Sequence, residues 1–370
     1  MTLRHSTSLA GKNWSGIGRF QATTSGRPQG FRSNAALESL TIAREERTQN
    51  LVLYNYPSFS GAFSALFAHL FHLHLNIPCL ILPFSSVEPF RVEDLCIDGV
   101  EKYYFLDFLG PKGFAAELSR KTSCQVIGFD HRKSTLSDIH LYDDRNSNLT
   151  YHVNLEKSSS SATYNYFCSK LLESRPTASL LNSEDKEKME MVLKYIEDGD
   201  LRRWNFPDIK HFNIGLSKWR SKLNSITNPH MFEQLMKINA MDLVANGSAT
   251  ISSQESLASK YLEKVFKVRL GRGLFGECLG VRIDGNPNLS DEIGKKLSVK
   301  SEAAGLRPIG AVVYMQGKNL KMCLRSKDSS TDTSVIAKVY GGGGFPNSSS
   351  FIIRMDEYNL WLSGAILKNN

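Results

Sequence analysis

The stretch Cys124-Gln-Val-Ile-Gly-Phe-Asp130-His131-Arg132 indicates the fold, because its apolar run ends abruptly in an acid, an imidazole and a base. A strand buried on both faces of a parallel sheet has such an uninterrupted apolar run. Open α/β folds bind their ligands beyond the carboxyl ends of these strands. We therefore predict a central strand that delivers Asp130 and His131 to the carboxyl edge of a parallel sheet.

Alternating strand and helix patterns surround this stretch. Strands are predicted at residues 51–56, 79–84, 102–108, 124–129 and 149–155, and helices at residues 61–75, 114–121 and 161–173. Alternation of this kind favours right-handed crossovers and a doubly wound sheet. Residues 48–180 are therefore predicted to form a Rossmann-like α/β domain.

The pattern changes twice after Pro176. Residues 181–268 are predicted to form a helical connector, with a capped helix start at Asn182 and later helices at residues 231–244 and 256–268. Residues 269–370 are predicted to form a smaller α+β domain, with strands at residues 278–283, 309–315, 320–324 and 335–340 and a helix at residues 289–304. We expect the functional site to lie between the two domains.

Positive charge is concentrated at the start of the chain. The 370 residues carry a net charge of +8, and residues 1–37 contribute +5 of it without any Asp or Glu, which leaves a nearly neutral body. A basic, acid-free, Ser/Thr-rich leader is typical of a transit peptide for a mitochondrion or chloroplast. The alternative is a disordered basic tail that stays attached to a cytoplasmic protein.

Cysteine spacing and hydropathy exclude several classes of protein. The six cysteines never form a CxxC pair, so neither a zinc knuckle nor a disulfide framework is indicated. The most apolar segment, residues 66–84, is interrupted by polar residues and a helix breaker at His69, His72, His74, Asn76 and Pro78. We therefore predict no membrane span.

Two acids and a histidine end the predicted strands. Asp107 and Asp130 each follow an apolar strand, and His131 lies at the same edge. Carboxylates with an imidazole suit Mn²⁺ or Mg²⁺ better than Zn²⁺, and two such ions about 3.5–4 Å apart can hold a phosphodiester and generate hydroxide. The alternative is structural, since an Asp can cap a loop and a His can pack in a core.

A second acidic pair, Asp198 and Asp200, lies at the end of a predicted connector helix. Gly199 is expected to end that helix and to turn Asp200 towards the site. A solvated helix end is the alternative for this pair.

A run of four glycines, Gly341 to Gly344, precedes Phe345-Pro-Asn-Ser-Ser-Ser350. Glycines let a backbone approach a ligand, and the Ser and Asn side chains can cap a following helix whose free N–H groups face an anion. Arg325 is placed to offer a guanidinium to a phosphate. A flexible linker is the alternative for the glycines.

Two other patterns are discounted. Gly271-Arg-Gly-Leu-Phe-Gly276 fits GxGxxG, but it lies between a predicted helix and a predicted strand, which is the reverse of a dinucleotide-binding turn. His69, His72 and His74 fall on an amphipathic helix, where packing explains them better than a metal does.

Taken together, these residues resemble the DHH phosphoesterase superfamily with its C-terminal DHHA1 domain, in the branch related to nano-RNases. The similarity runs from about residue 51 to residue 351. The name-giving motif is matched by Asp130-His131-Arg132, the first motif by residues 54–63, the second by Asp107, the fourth by Asp198-Gly-Asp200, and the DHHA1 motifs by Arg325-Ser326 and the glycine run. The resemblance implies catalytic roles for Asp130, His131 and Arg132, metal ligation by Asp107, His131 and Asp200 or alternatively Asp198, and phosphate contacts from Arg325, Ser326, Gly342, Gly343 and Gly344.

The sequence departs from the family where the chemistry is expected. Asn55, Ser58 and Ser60 stand where the first motif normally has a His and acids that ligate metal, and Phe345 stands where the DHHA1 loop usually has a His. Arg132 puts a permanent cation where the family has an imidazole. The resemblance therefore implies that the site binds at most one Mn²⁺ or Mg²⁺ ion. The alternative is that it binds no cofactor.

Three functions follow from this pattern. The first is a catalytically impaired family member that keeps a cleft for a phosphate-bearing ligand, a nucleotide or a short RNA. The second is an active metal-dependent phosphodiesterase that uses a reduced metal site, and the third is a structural subunit of an organellar complex. A homodimer or a larger assembly is compatible with each of them, and no membrane partner is expected.

Overall fold

The computed structural model describes residues 34–87, 89–142 and 148–362. The predicted leader falls largely outside this range, since residues 1–33 are not described. Its last four residues begin a helix whose Ala36 is fully buried, so they belong to the folded chain. No helix among the described residues is long and apolar enough to cross a membrane.

A five-stranded sheet organises residues 34–180, which we call the parallel-sheet region. Its strands are β1 (Asn50–Asn55), β2 (Cys79–Phe84), β3 (Lys102–Leu106), β4 (Gln125–Asp130) and β5 (Leu149–Val153). Its helices are α1 (Asn34–Glu45), α2 (Phe59–Leu75), α3 (Val92–Leu95), α4 (Phe114–Lys121), α5 (Lys133–Tyr142) and α6 (Ser159–Ser174). The strands run in the order β2-β1-β3-β4-β5 and every pair is parallel. The predicted parallel α/β sheet is therefore confirmed.

Both faces of this sheet are covered. Successive residues of a strand point to opposite faces. Val52 and Tyr54 of β1 accordingly enter a core with α2 and α6, whereas Leu51 and Leu53 enter a second core with α1, α3 and α4. Because both faces are buried, the strands are apolar along their whole length. These continuous apolar runs allowed the strands to be predicted from the sequence.

The connector consists of four helices, α7 (Ser183–Asp200), α8 (Ile209–Ser217), α9 (Met231–Met236) and α10 (Ala240–Leu262). The predicted helix at residues 231–244 is divided in two, because the chain turns between α9 and α10 and Asn239 caps the second of them. The predicted helix at residues 256–268 is too long, because α10 ends at Leu262 and residues 266–268 belong to a strand. Helices α8 and α10 cross closely, since a Cβ atom at Gly247 would lie 1.8 Å from the carbonyl oxygen of His211. Helix α10 also contacts the following region through α11.

The mixed-sheet region, residues 266–362, holds the second sheet. Its strands are β6 (Phe266–Arg269), β7 (Glu277–Arg282), β8 (Ile309–Gln316), β9 (Asn319–Ser326), β10 (Gly343–Phe345) and β11 (Ser348–Ile353). Its helices are α11 (Ser290–Ala303), α12 (Ser334–Val339) and α13 (Met355–Trp361). The strand order is β10-β11-β9-β8-β7-β6, and only the β7–β8 pair is parallel. The GxGxxG stretch lies between strands β6 and β7, not after a helix.

Helix α12 corrects the predicted strand at residues 335–340. The β-branched residues there favoured a strand. In the structure Ile336 and Ala337 are buried while Val335 and Val339 are exposed, which is a helical pattern of burial. Packing against the sheet overrides the local propensity.

Candidate functional site

The site lies where the order of the parallel sheet reverses. The chain passes from β1 outward to β2 and then returns across β1 to β3. Strands β1 and β3 are therefore neighbours, but the chain continues from them towards opposite edges of the sheet. Loops that leave the carboxyl ends of two such strands diverge and open a crevice. Asn55 ends β1 and Asp107 follows β3, so both side chains stand at this crevice.

Asp107 is buried, and two neutral donors occupy one of its oxygens. Asn55 Nδ2 donates to Asp107 Oδ2 at 3.0 Å, and the Ser58 hydroxyl donates to the same oxygen at 2.6 Å. Ser58 also caps α2, because its Oγ accepts from the Gly61 amide at 3.2 Å. The backbone of Asp107 has φ +68°, which is the left-handed region that non-glycine residues rarely adopt.

Asp130 is buried as well, but its neighbours in sequence satisfy both oxygens. Oδ1 accepts from the His131 amide at 2.7 Å and from Arg132 Nε at 2.8 Å, and Oδ2 accepts from the Thr135 hydroxyl at 2.6 Å. This carboxylate therefore fixes the turn between β4 and α5. Its oxygens are not free to bind another group without breaking these bonds.

His131 and Arg132 bring positive charge to Asp107. His131 Nδ1 lies 2.9 Å from the Ser159 hydroxyl and 3.2 Å from Asp107 Oδ1, the second contact being outside hydrogen-bond geometry. Arg132 Nη2 donates to the backbone carbonyl of Asp107. Asp107 Oδ1 is thus enclosed by protein and accepts no hydrogen bond from the described residues.

Asp200 faces this cluster and Asp198 does not. The Oδ2 atom of Asp200 is enclosed and accepts no hydrogen bond from the described residues. Asp198, in contrast, accepts from the Asn205 amide at 3.0 Å and from the Phe206 amide at 3.3 Å. The expected helix end at Gly199 is wrong, because Gly199 lies inside α7, which continues to Asp200.

Burial and mutual charge shift the protonation of these groups. Burial, together with the Asp107 carboxylate, raises the pKa of Asp200 to about 7. Burial also opposes the charge on Asp107, but the contact with His131 and the charge of Arg132 outweigh it and lower the pKa of Asp107. Burial lowers the pKa of His131, but the Asp107 contact and the nearby carboxylates outweigh this effect and raise it. Asp107 and Asp200 therefore do not readily carry a negative charge at the same time.

One acidic group among the described residues has the dimensions of a metal site. Ligand atoms of Asp107, Asp130 and His131 all lie within 4.8 Å of one another. Asp130 is satisfied by backbone and side-chain donors, so the enclosed oxygen of this group without a hydrogen bond is Asp107 Oδ1. Asp200, whose Oδ2 also lacks one, is not a member of the group. The predicted ligand roles of Asp107, His131 and Asp200 remain predictions.

A cavity of about 530 Å³ opens next to Arg132. The loop after β3 and the helices α4 and α5 form it, and its lining includes Asn55, Phe108, Lys112, Phe114, Asp130, Arg132 and Asp138. Arg132 keeps 42% of its side-chain surface exposed, and Lys112 donates to no described residue. A volume of this size suits a nucleotide-sized ligand.

Arg325 is engaged by an acid of its own region. Its Nε donates to Asp291 Oδ1 at 2.8 Å, its Nη1 donates to the Leu324 carbonyl at 2.9 Å, and its side chain is 13% exposed. The Ser326 hydroxyl donates to the Asp328 carbonyl at 2.6 Å. These contacts all stay within the mixed-sheet region, so a shared cleft between the two sheets remains a prediction.

The glycine run is followed by a hairpin, so the predicted helix after it is wrong. Gly343 and Phe345 bound β10, which pairs with β11. A Cβ atom at Gly342 would lie 2.2 Å from the Ser350 carbonyl oxygen, so the backbone that approaches this glycine belongs to β11. Phe345 is 75% exposed at the turn. The glycines have a structural reason, and their predicted phosphate contacts remain a prediction.

Three polar residues of the site, Thr135, Ser159 and Ser160, were not predicted from the sequence. The Thr135 hydroxyl donates to Asp130, and the Ser159 hydroxyl lies 2.9 Å from His131 Nδ1. The Ser160 amide donates to the Ser60 hydroxyl at 3.0 Å, which joins the first turns of α2 and α6. The run of four serines at 158–161 after β5 was a signal for this helix start.

No model of a known protein family matches the sequence, and no curated protein matches it. Solved structures match over most of the chain. An exopolyphosphatase-related protein from Bacteroides fragilis is 12% identical, with 89% of this chain and 94% of that chain covered and a TM-score of 0.32. The pGpG-specific phosphodiesterase PggH from Vibrio cholerae is 14% identical, with 84% and 95% covered and a TM-score of 0.35. RecJ from Thermus thermophilus, in complex with Mn²⁺, is 12% identical, with 90% and 54% covered and a TM-score of 0.31.

Proposed function

We propose that this protein is a DHH/DHHA1-type phosphoesterase relative that binds a phosphate-bearing ligand at the carboxyl edge of its parallel sheet and has lost ordinary two-metal hydrolysis. One observation carries the proposal. Asn55 and Ser58 both donate hydrogen bonds to Asp107 Oδ2, so that oxygen is satisfied by neutral donors where a metal would otherwise be held.

The charge balance of the site supports the same conclusion. His131 and Arg132 offset two of the three carboxylates, and the third, Asp200, has its pKa raised to about 7 by burial and by Asp107. A dication must then compete with a proton on His131 and with a guanidinium that cannot be deprotonated. Carboxylates already neutralised by protein cations attract a metal less strongly.

The residues fit one ion better than two. Asp107 Oδ1 and Asp200 Oδ2 are enclosed oxygens without donors, and such oxygens suit Mn²⁺ or Mg²⁺. A second ion would need ligands from the first motif, where Asn55, Ser58 and Ser60 supply no negative charge. A pair of ions that holds both the attacking and the leaving oxygen is therefore not supported.

Arg132 is the group best placed to meet a phosphate. It is held by Asp130 and by the Asp107 carbonyl, yet it borders the cavity, and its Nη1 donates to no described residue. A fixed guanidinium pairs well with phosphate oxygens. We propose a nucleotide or the end of a short RNA as the ligand.

Calorimetric titration with Mn²⁺ or Mg²⁺ tests the metal half of the proposal, and hydrolysis of a 5′-phosphorylated RNA dinucleotide or a cyclic dinucleotide tests the catalytic half. We expect at most one weakly bound ion and no turnover. Turnover that depends on Mn²⁺ and disappears in Asp107→Ala would contradict the proposal.

A restored variant, Asn55→His with Ser58→Asp and Ser60→Asp, tests the cause. We expect it to bind Mn²⁺ more tightly than the natural protein and to be less stable without metal, because Ser60 is fully buried beside Asp200. Adding Asp107→Asn to the restored variant is the control. If restoration changes neither metal binding nor activity, the first motif is not what limits metal binding and hydrolysis in this protein.

A single-metal phosphodiesterase is the second candidate, and the two donor-free oxygens of Asp107 and Asp200 favour it. In that case Arg132 would stabilise charge in the transition state. This candidate requires one equivalent of bound metal together with turnover that His131→Ala abolishes. Metal binding without turnover would exclude it.

We also propose import into an organelle, on the composition of residues 1–37 alone. Fusing these residues to a fluorescent protein tests the proposal. Uniform cytoplasmic fluorescence would contradict it.

A further inference from the structure

A basic segment of the connector, residues 218–226, crosses the outer edge of the parallel sheet next to the first motif, and we call it the basic strap. Its sequence is Lys218-Trp-Arg-Ser-Lys-Leu-Asn-Ser-Ile226. Leu223 packs in the core formed with α2 and α6, and Ile226 packs against the core on the other face of the sheet. The basic strap therefore passes from one face of the sheet to the other.

Hydrogen bonds fix the basic strap beside the carboxyl end of β1. The Tyr54 hydroxyl donates to the Leu223 carbonyl at 2.8 Å and accepts from the Ser225 amide at 2.9 Å. The Ser225 hydroxyl donates to the Ile81 carbonyl of the edge strand β2 at 3.1 Å. Tyr54 is fully buried and directly precedes Asn55 of the site. The basic strap is thus anchored one residue away from the site.

A second contact places a cation of the basic strap at the first turn of α2. The Arg220 guanidinium lies over the Phe59 ring, with 5.7 Å between Cζ and the ring centroid. Phe59 stands between Ser58 and Ser60, two first-motif residues that contact the acids of the site. With standard bond lengths, the guanidinium is at most about 16 Å from the Ser58 hydroxyl. Two independent contacts therefore place the basic strap next to the acidic edge.

The positive charge of the folded body is concentrated in this part of the connector. Residues 201–240 contain seven Lys and Arg and two Asp and Glu, a net charge of +5, whereas residues 38–370 carry +3 in total. The remainder of residues 38–370 therefore carries −2.

Three cations of the basic strap have no acidic partner. Lys218, Arg220 and Lys222 are exposed, and none of them pairs with a carboxylate of the described residues. Lys218 donates to the Thr250 hydroxyl at 2.7 Å, and the Lys222 ammonium lies 4.4 Å from the centre of the Trp219 ring. Their charge is not neutralised locally and is available to an external anion.

Cations beside the acidic edge favour an anionic ligand that the edge itself repels. Asp107 carries a carboxylate there, and Arg132 is the group proposed to meet one phosphate. Exposed cations next to a site raise the local concentration of anions and speed their association. A further phosphate group of a ligand bound at Arg132 would find its nearest unpaired cations on the basic strap.

We infer that the basic strap is a second anion-recognition element of this site, with Arg220 as its central residue, and that it favours ligands that carry more than one phosphate group. Arg132 binds the phosphate at the edge of the sheet, and the basic strap attracts the remaining negative charge. The inference rests on the proposed phosphate-binding function and adds residues that determine which ligand is bound. A ligand with a single phosphate gains little from the basic strap.

Titration of the full-length protein with inorganic phosphate and with inorganic tripolyphosphate tests the inference without any base or sugar. Affinities are measured by calorimetry in the absence of divalent cations, at low and at high salt, because salt screens exposed charges over about 10 Å at 0.1 M. We expect tripolyphosphate to bind more tightly than phosphate. The difference should shrink as salt is added.

Substitutions in the basic strap measure its contribution. Arg220→Gln should weaken tripolyphosphate binding by roughly 1.5- to 5-fold, the range for one exposed ion pair, and should affect phosphate binding less. Arg220→Lys should keep part of the effect, because the charge remains. The triple variant Lys218→Gln, Arg220→Gln and Lys222→Gln should weaken tripolyphosphate binding by roughly 3- to 150-fold if the three contributions add.

A second triple variant with the same net charge is the matched control. It replaces three exposed lysines that pair with no carboxylate of the described residues, Lys260→Gln, Lys264→Gln and Lys267→Gln. These lysines lie at the end of α10 and in β6, away from the first motif. We expect the control to change tripolyphosphate affinity by less than about twofold.

The outcomes distinguish the inference from the function on which it rests. Equal weakening by the two triple variants, or unchanged tripolyphosphate binding in the strap variant, overturns the basic strap and keeps the phosphate site. Binding of neither anion by the natural protein overturns both proposals. Phosphate binding that Arg132→Gln leaves unchanged overturns the proposed phosphate site. Loss of both anions in Arg132→Gln, with a loss confined to tripolyphosphate in the strap variant, supports both.

Discussion

Replacing Asp200 with asparagine is expected to stabilise the protein at alkaline pH. In the natural protein Asp200 Oδ2 is enclosed without a donor and faces the Asp107 carboxylate. Asparagine keeps the shape of the side chain and removes the charge.

The sign and size of the effect follow from the pKa of Asp200, which burial and Asp107 raise from 3.8 to about 7. Below pH 4 the group is protonated in both the folded and the unfolded chain. Between pH 4 and 7 only the unfolded chain ionises, so stability falls as pH rises and the loss is complete above pH 7. The full difference corresponds to about 4 kcal/mol, and we expect roughly 2–4 kcal/mol because His131 and Arg132 respond to the same proton.

Urea denaturation of both proteins at intervals between pH 4.5 and 8 measures this difference. The free energy of unfolding of Asp200→Asn should exceed that of the natural protein by an amount that grows with pH. Asp198→Asn is the matched control two residues away, and it should destabilise the protein by about 1–2 kcal/mol, because the Asp198 carboxylate accepts two backbone amides. Equal stability of Asp200→Asn and the natural protein at pH 8 would refute the reasoning.

Three further predictions concern other parts of the molecule. His72 is buried with Nε2 unpaired, and burial lowers its pKa to about 4. Its contribution to stability is therefore present above pH 6.5 and is lost as the pH falls towards 4. In acid denaturation curves, His72→Phe should remove up to about 3 kcal/mol of this loss of stability. Gly342→Ala should cost about 1–3 kcal/mol of stability in urea denaturation, whereas Gly343→Ala, with no atom within 4 Å of the added Cβ, should cost little; equal costs would contradict the hairpin explanation. If Arg325 binds phosphate, Asp291→Asn should strengthen oligonucleotide binding by roughly 1.5- to 5-fold, because the guanidinium no longer has to leave its carboxylate; weaker binding would exclude that role.

Short-range patterns predicted most of the fold. The boundaries of β2 and α4 agree with the predicted ranges, and the other strands of the parallel sheet agree within two residues. These elements are buried on one or both sides, so their apolar residues repeat with the period of the element. Helices α1, α3, α5, α8 and α13 were not predicted. Their sequences carry weaker or shorter periodic signals, and contacts with the rest of the chain hold them in place.

The candidate site was predicted in part. That Asp107 and His131 lie at one edge followed from the order of strand ends in a parallel sheet. The sequence did not decide between Asp198 and Asp200. Residues two apart on a helix are separated by about 200° around its axis, so only one of the two faces the site. Only the packing of α7 on the parallel-sheet region shows that Asp200 faces Asp107 while Asp198 accepts from the Asn205 and Phe206 amides.

The sequence by itself determined which residue types this protein brings to the edge of its sheet, including Asn55 and Ser58 in place of acids. The local sequence pattern is sufficient for this, because neighbouring residues determine where a strand ends and where a helix begins. Only the tertiary structure decided which contacts those residues make. Asn55 and Asp107 are 52 residues apart and meet only because β3 returns beside β1. Long-range pairing of this kind depends on how the whole sheet closes its two cores, and no local stretch of sequence records it.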